Sequence, residues 1–222
     1  MKPGQKFRNA LKNNKPLIIP GTINAYSAKL AELANHNSIY LSGSGVAAAS
    51  YGLPDLGVTT LENVLIDAKR ITSATSLPLL VDIDTGWGDF DAISNTIIEM
   101  GNANVAAVHI EDQIFDKRCG HRPNKQIVSI DEMQDRLKAA LDAKIDDSFF
   151  IMARTDALAS EGIEKAIERC GKYLDVGADG IFFEAAVSIE EYKEFKNNFS
   201  APLLANITEF GKTPLFTQKE LS

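Results

Sequence analysis

The chain has 222 residues, of which 45% are hydrophobic and 24% charged, a composition typical of a globular protein. Its formal net charge of −7 argues against nucleic acid or an anionic membrane as a partner, because both attract positively charged surfaces. No apolar run is long enough to span a bilayer, and the N-terminus lacks the apolar stretch of a signal peptide. Only Cys119 and Cys170 are available for disulfides, so we expect a cytoplasmic protein.

Short apolar segments alternate with amphipathic segments along the chain. We predict strands at residues 17–24, 38–43, 77–84, 106–112, 149–156, 180–184 and 202–207, and helices most clearly at 61–72, 130–143 and 163–175. Capping boxes at Ser129 with Glu132 and at Ser188 with Glu191 mark helix starts, the first of them that of the helix at 130–143. Apolar strands spaced about thirty residues apart favour a (β/α)8 TIM-type barrel over a doubly wound sheet. We expect residues 1–222 to form one such domain.

The end of the sequence predicts an incomplete barrel. Thr217 and Glu220 form another capping box, TQKE, but the chain stops at Ser222 and an eighth strand is not predicted. We therefore expect that the sequence is cut short or that the protein is a natural fragment.

Polar residues gather at the C-terminal ends of the predicted strands, where barrel enzymes place their active sites. They are Ser42, Asp82, Asp84, Glu111, Arg154, Glu184 and Asn206.

The stretch VDIDTGWG carries a candidate metal site. Asp82 and Asp84 are two residues apart at a strand end, so both can lie on one face. Adjacent carboxylates repel unless a cation lies between them, and carboxylate and water ligands suit Mg²⁺, with Mn²⁺ as the alternative. Glu111, in HIEDQ, can join the metal shell through water, whereas we interpret His109 as structural. The alternative is an ordinary pair of aspartates at a solvated strand end.

The stretch KRCGHRPNK places Cys119 among cations. We expect Lys117, Arg118 and His121 to lower the pKa of the Cys119 thiol, which would suit proton exchange or nucleophilic attack. The same cations can bind a di- or tricarboxylate. The alternative is a basic surface loop that happens to hold a cysteine. Cys170 lies in a helical pattern, and we expect it to be packed and inert.

Weaker signals surround these two stretches. The turn LSGSG offers backbone N–H groups and the Ser42 hydroxyl for a carboxylate, or it is an ordinary βα turn. Arg154 in ARTD can clamp a carboxylate through two hydrogen bonds. Glu184, Asn206 and Thr208 each have a structural alternative as caps or turn residues.

Five stretches together resemble the isocitrate lyase/phosphoenolpyruvate mutase superfamily over essentially the whole chain. They are KRCGHRPNK, VDIDTGWG, YLSGSGVAAASYGLPDLG, IMARTDA and ANITEFGKTPLF. The KRCGH loop is the most specific, because the mutases are not expected to carry it. Isocitrate lyases proper carry a close variant of it, but they are longer and differ where this chain reads NITEFG.

Within that superfamily the chain is similar to the members that split (2R,3S)-2-methylisocitrate into pyruvate and succinate in the methylcitrate cycle of propionate catabolism. The resemblance implies a Mg²⁺-dependent carbon–carbon lyase in which Cys119 delivers a proton to the succinate carbon. Tyr40 and Asp55 are the candidates for the base that removes the hydroxyl proton.

The resemblance also implies a set of site residues. Asp82, Asp84 and Glu111 would serve the metal. The substrate would be contacted by Ser42, Gly43, Ser44, Cys119, Gly120, Arg154, Glu184, Asn206, Ile207 and Thr208. Two departures put substrate fit in question: Ser44 replaces a usual glycine, and Phe183 stands where proline usually precedes the glutamate.

Two alternatives to this interpretation remain. The chain could be another superfamily enzyme acting on a small 2-oxo or 2-hydroxy acid, such as an oxaloacetate hydrolase, a dimethylmalate lyase or an isocitrate lyase. It could be an inactive truncated fragment. Family members extend beyond this sequence with an eighth strand, two further arginines and a helix swapped within a homotetramer. A chain truly ending at Ser222 is therefore expected to be weakly active and prone to aggregate.

Overall fold

A computed structural model describes residues 1–115, 117–122 and 124–222 of the chain. Pro123, which belongs to the KRCGHRPNK stretch, lies outside the described residues. Among the residues that are described, no helix has the length and apolar character needed to cross a membrane.

The centre of the molecule is a parallel sheet whose strands follow one another in chain order. The strands are β1 (Ile39–Leu41), β2 (Leu79–Asp82), β3 (Ala107–Glu111), β4 (Phe150–Thr155), β5 (Gly180–Phe183) and β6 (Leu203–Leu204). Each strand pairs with its neighbours in sequence. This sequential order is typical of a (β/α) barrel. In a doubly wound sheet the order of the strands reverses at a switch point, so some consecutive strands are not neighbours. The predicted barrel-type architecture is confirmed.

One predicted strand is wrong. Residues 17–24 form no strand, and only a single parallel bridge joins Gly21 to Tyr40 of β1. Thr22 N donates to Tyr40 O, and Tyr40 N donates to Pro20 O. Pro20 has no N–H to donate, so the ladder cannot extend through it. The segment still lies beside β1, where a barrel strand would lie.

Helices connect the strands. They are α1 (Pro3–Asn13), α2 (Ala25–Leu33), α3 (Gly43–Gly45), α4 (Leu61–Ala74), α5 (Phe90–Asn102), α6 (Ile130–Asp142), α7 (Leu158–Glu161), α8 (Ile163–Val176) and α9 (Ile189–Asn198), with a π-helical segment at Val46–Ser50. The three helices predicted most clearly are confirmed to within two residues at their ends. The capping box at Ser188 forms, with Ser188 accepting from Glu191 N and Glu191 accepting from Ser188 N. At Ser129 only half of it forms: Ser129 accepts from Glu132 N, whereas the Glu132 side chain pairs with Arg136. Thr217 likewise accepts from Glu220 N, in a turn near the end of the chain.

The strands bury both of their faces. The outward face, which includes Val81, Val108 and Ile151, packs against the helices. The inward face forms a separate apolar cluster that includes Leu80, Phe150 and Phe182. Since side chains alternate along a strand, the residue two positions after each inward apolar residue also points inward. Alternation therefore brings the polar residues at the strand ends to one side of the sheet.

Helix α1 covers the opposite, N-terminal end of the strands. Phe7 packs edge-on against Phe150, with 5.2 Å between ring centroids. Arg8 Nε donates to Ser148 O at 2.9 Å, and Arg8 Nη2 pairs with Asp179 Oδ1 at 2.8 Å. With this end covered, the C-terminal ends of the strands are left to form a site.

The approach of α1 to the sheet depends on Gly4. A β carbon at Gly4 would overlap the Ser148 carbonyl oxygen, which belongs to backbone and cannot move aside. We predict that Gly4→Ala lowers the free energy of unfolding by about 1–3 kcal/mol, although alanine favours helices. Gly21→Ala is the control, since a β carbon there meets nothing within 4 Å. Urea unfolding of both variants measures the difference; equal stabilities would show that α1 does not pack as described.

Candidate active site

The inward-facing side chains at the C-terminal ends of the strands lie close together. We call this end of the sheet, marked by Asp82, Glu111 and Arg154, the mouth. Register places Glu111 of β3 beside Arg154 of β4, and Asp82 of β2 beside His109 of β3. Asp82, Glu111 and Arg154 are all less than a tenth exposed. The predicted gathering of polar residues at this end is what the structure shows.

Asp82 and Asp84 both face the turn that follows β1. Gly43 N donates to Asp82 Oδ2 at 3.1 Å, and Asp84 N donates to Asp82 Oδ1 at 3.1 Å. A β carbon at Gly43 would lie 3.2 Å from Asp82 Oδ2 and 3.3 Å from Asp84 Oδ1. Glycine is thus needed for the backbone to approach both carboxylates closely.

Lys117 reaches into this group from the cysteine-containing loop. Its Nζ lies 2.8 Å from Asp84 Oδ1 and 2.5 Å from Asp55 Oδ1, and its side chain is 6% exposed. Burial opposes the charged form, but Asp84 and the neighbouring carboxylates raise the pKa of Lys117 above its ordinary value. A buried ammonium ion therefore bridges the two aspartates.

The carboxylates here fit a divalent cation that keeps part of its water shell. Within the described residues, no ready-made cluster of three or more metal-ligating side chains occurs. However, Asp84 Oδ1 and both carboxylate oxygens of Glu111 are buried and accept no well-oriented hydrogen bond in the described part of the chain. Burial and the Asp82 carboxylate raise the pKa of Asp84, and burial likewise raises that of Glu111. Lys117 lies near Asp84 Oδ1 and Arg154 near Glu111 Oε2, so the charge of these carboxylates is only partly compensated. Buried carboxylates of this kind suit Mg²⁺, which is usually held by one or two carboxylates and several waters.

Arg154 is held by three carboxylates. Its Nε lies 2.9 Å from Asp156 Oδ2 and 3.2 Å from Glu111 Oε2, and its Nη2 lies 3.2 Å from Glu184 Oε2. The guanidinium also lies 5.0 Å from the centroid of the Phe182 ring. A substrate carboxylate would therefore have to share Arg154 with these protein carboxylates.

The loop that carries Cys119 folds over the mouth. Lys117 binds Asp84, as described above, and a β carbon at Gly120 would overlap Arg154 and Glu184. Cys119 lies between these two anchored positions and is partly buried. The structure thus brings Cys119 to the same end of the sheet as Asp82 and Asp84.

The predicted lowering of the Cys119 pKa is wrong. Burial raises the pKa of the thiol above its ordinary value, and this outweighs the hydrogen bond with the His121 backbone. The neighbouring side chains contact carboxylates of the barrel instead: the Lys117 ammonium group binds Asp84, and His121 Nε2 lies 3.2 Å from Glu184 Oε1. At neutral pH the sulfur carries its proton, which is the form that a proton donor needs.

The two candidate bases differ in their surroundings. Asp55 is bound by the Lys117 ammonium group. The Tyr40 hydroxyl lies 2.9 Å from His109 Nε2, and His109 Nδ1 lies 3.7 Å from Asp82 Oδ1. Burial raises the pKa of Tyr40 well above its ordinary value and lowers that of His109 to about 4. Both groups are therefore neutral near pH 7, with the tyrosine hydroxyl facing an imidazole nitrogen.

The turn after β1 is arranged as the second of its two alternatives, an ordinary βα turn. Ser42 caps the turn by accepting from Gly45 N at 3.4 Å, and the Gly43 N–H is bound by Asp82. Ser44 is exposed. The Gly43 N–H is therefore engaged with a protein carboxylate rather than free for a substrate.

The segment after β6 meets the cysteine-containing loop. Asn206 Nδ2 lies 3.4 Å from His121 Nε2, and Lys212 N donates to His121 Nδ1 at 3.0 Å. Asn206, Ile207 and Thr208 are partly buried. His121 thus joins the two loops that cover the mouth.

Several residues of this site could not be assigned to it from their local sequence. Lys117 and His121 were expected to surround the thiol, and Asp156 carried no expectation. His109, expected to be structural, is fully buried and contacts Tyr40. Strand alternation carried a signal for His109, because it lies two residues before Glu111 on the same inward face.

Chemically, the mouth combines a place for a divalent cation, a buried guanidinium, a protonated thiol and a tyrosine hydroxyl. Such a set can bind a substrate with several carboxylates, stabilise developing negative charge and deliver a proton. The set of groups suits cleavage of a bond next to a carboxylate.

Comparisons with known proteins agree with this geometry. Residues 7–222 match the phosphoenolpyruvate phosphomutase family. A 2-methylisocitrate lyase of Shewanella oneidensis is 60% identical over 219 residues, which are 99% of this chain and 75% of that protein.

Solved structures show the same fold. An oxaloacetate acetylhydrolase in complex with the inhibitor 3,3-difluorooxalacetate superposes with a TM-score of 0.94 at 36% identity, covering 99% of this chain and 76% of the other. A phosphonopyruvate hydrolase in complex with oxalate and Mg²⁺ has a TM-score of 0.79 at 31% identity, covering 91% and 71%. The chain therefore belongs to the phosphoenolpyruvate phosphomutase family.

Proposed function

We propose that this chain is a Mg²⁺-dependent 2-methylisocitrate lyase, which cleaves (2R,3S)-2-methylisocitrate to pyruvate and succinate. The observation that carries the proposal is the 60% identity to a 2-methylisocitrate lyase over 99% of the chain. The site supports it, because a protonated thiol and a group of metal-suited carboxylates lie at one mouth. The reaction would belong to the methylcitrate cycle of propionate catabolism.

Asp82 and Asp84 would hold the cation, with Glu111 contacting it through water. When bound, Mg²⁺ would polarise substrate oxygens and offset the negative charge that develops during cleavage. Mg²⁺ in the complex of the related phosphonopyruvate hydrolase supports this choice over Mn²⁺. Arg154, Glu184 and Asn206 would orient the substrate carboxylates from the other side of the mouth.

The substrate hydroxyl must lose a proton for the carbon–carbon bond to break. We assign the role of the base that accepts this proton to Tyr40 rather than Asp55. Asp55 is bound by Lys117, whereas the Tyr40 hydroxyl faces His109. The Tyr40 oxygen would accept the proton as it passes its own proton to His109 Nε2. The electron pair of the hydroxyl O–H bond then forms the carbonyl group of pyruvate.

The broken carbon–carbon bond leaves its electron pair on the succinate carbon, next to a carboxylate. Cys119 would donate its S–H proton to that carbon and remain as a thiolate. The proton held on His109 then returns to the sulfur through solvent, so that no proton is gained or lost overall. Exclusion of water by the closed loop favours this proton transfer over side reactions.

The assignment is tested with the purified protein, Mg²⁺ and a panel of acids. We expect cleavage of (2R,3S)-2-methylisocitrate at a kcat/KM at least about a hundredfold above that for isocitrate or 2,3-dimethylmalate. Pyruvate from 2-methylisocitrate and 2,3-dimethylmalate is measured by coupled reduction to lactate, and cleavage of isocitrate is followed by release of glyoxylate. Oxaloacetate hydrolysis is followed by release of acetate. Preference for oxaloacetate would identify the related hydrolase activity instead, and inactivity on all four acids would favour the fragment hypothesis.

Replacement of the proposed acid gives a second prediction. Cys119→Ser should lower kcat by about a hundredfold or more, because a serine hydroxyl is a much weaker acid than a thiol, while KM changes little. The control is Cys170→Ala, since Cys170 is fully buried in α8 and lies outside the mouth. Single-turnover kinetics measures the effect. Unchanged cleavage by Cys119→Ser would remove Cys119 from the acid role.

The homo-oligomeric state and the cytoplasmic location stay predictions. Size-exclusion chromatography with light scattering and subcellular fractionation would test them.

A further inference from the structure

Lys125 connects the cysteine-containing loop to the barrel. Its Nζ donates to the Gly120 carbonyl oxygen at 2.7 Å and to Asp156 Oδ1 at 2.7 Å. Its side chain is 3% exposed, and that of Asp156 is fully buried. The ammonium group therefore lies in the interior, between the residue next to Cys119 and a carboxylate that follows β4.

The barrel end of this connection is firmly held. Asp112 Oδ1 accepts from Asp156 N at 2.9 Å, and Asp112 Oδ2 accepts from Thr155 Oγ1 at 2.7 Å and from Tyr173 Oη at 2.9 Å. Burial opposes ionisation of Asp156, yet Arg154 and Lys125 lower its pKa below the ordinary value. Asp156 is thus a fixed, charged anchor.

The same anchor also holds Arg154. Asp156 Oδ2 accepts from Arg154 Nε at 2.9 Å, while Asp156 Oδ1 binds Lys125. The Asp156 carboxylate therefore links Arg154, which we propose to contact the substrate, to the loop that carries Cys119, the proposed acid.

Gln113 also holds the loop, but at a different point. Gln113 Nε2 donates to Arg118 O at 2.9 Å, and Arg118 N donates to Gln113 Oε1 at 3.0 Å. These bonds fix the residue before Cys119. The bond from Lys125 to the Gly120 carbonyl fixes the residue after it.

We propose that Lys125 is a positioning residue that holds the Cys119 loop closed over the mouth by bridging the Gly120 carbonyl to Asp156. The inference deepens the proposed function, since it assigns Lys125 the placement of the acid. Lys125 acts through Gly120 and not on the substrate. Burial of an ammonium ion is costly, and such a group stabilises the protein only when its partners are well arranged. Here both partners are needed for the loop to close.

Alkylation of Cys119 tests the bridge without any substrate. The wild-type protein and the Lys125→Met variant are treated with iodoacetamide, an uncharged reagent, at pH 8 with Mg²⁺, and modification is followed by peptide mass spectrometry. The loss of hydrogen bonds to a charged group should raise the fraction of molecules with an open Cys119 loop by at least about tenfold. We therefore expect Cys119 of Lys125→Met to react at least about tenfold faster, with Cys170 unreactive in both proteins.

Two further variants make the test specific. Lys138→Met removes the same ammonium group from an exposed pair with Asp135 on α6, and it should alkylate like the wild type. Lys125→Arg keeps the charge and the donors, so its Cys119 should react more slowly than that of Lys125→Met. If Lys125→Met does not fold, as judged by near-ultraviolet circular dichroism, Lys125→Gln replaces it.

Kinetics separates positioning from a general loss of stability. We expect kcat of Lys125→Met to fall by about a hundredfold with little change in KM, as a misplaced acid predicts. Wild-type alkylation rates in Lys125→Met, or equal rates in Lys125→Arg and Lys125→Met, would overturn the proposal. Failure of the proposed function would instead show as absent cleavage by the wild type, with the alkylation differences intact.

Discussion

The structure depends on the burial of charge at one end of a parallel sheet. Six carboxylates, those of Asp55, Asp82, Asp84, Glu111, Asp156 and Glu184, meet three ammonium or guanidinium groups, those of Lys117, Lys125 and Arg154. Buried charges are costly unless they are paired, and here the negative groups outnumber the positive ones. Burial first, and neighbouring carboxylates second, raise the pKa values of Asp84 and Glu111. A divalent cation would relieve this excess of negative charge.

This arrangement joins the fold to the loop that closes the site. Strand alternation sends Asp82, Glu111 and Arg154 to the same inward face, where Arg154 pairs with Glu111. The loop between β3 and α6 supplies Lys117 and Lys125, which bind the aspartates of other segments. The loop therefore folds over the mouth because its cations find carboxylates there, and closure brings Cys119 with them. The basic residues around the cysteine serve the position of the loop more than the acidity of the thiol.

Much of the fold was readable from the sequence because its signals are local. The apolar runs of β2 to β5 and the capping residues Ser129 and Ser188 each determine structure within a few positions of themselves. The prediction of a strand at 17–24 was wrong, because the segment has the apolar content of a strand but Pro20 interrupts the hydrogen-bond ladder. The carboxylates of the site could be predicted because the C-terminal ends of all strands lie at the same face of a barrel. This holds for the fold as a whole, whatever residues stand at those ends.

The partners within the site could not be read in the same way. Lys117 binds Asp55 from 62 positions away, and Lys125 binds Asp156 from 31 positions away. Sequence proximity suggested that Lys117 would act on Cys119, whereas the fold offers it carboxylate partners. The acidity of Cys119 was misjudged for this reason, as burial dominates once the cations are engaged elsewhere.

The central claim is that this excess of buried negative charge forms a site for a divalent cation. Calorimetric titration of the substrate-free protein with Mg²⁺ tests it most directly, alongside Asp82→Asn and the exposed control Asp135→Asn. The account predicts a single Mg²⁺ site that Asp82→Asn weakens by at least about tenfold and that Asp135→Asn leaves unchanged. The absence of Mg²⁺ binding at millimolar concentration, or equal affinity in Asp82→Asn and the wild type, would contradict it.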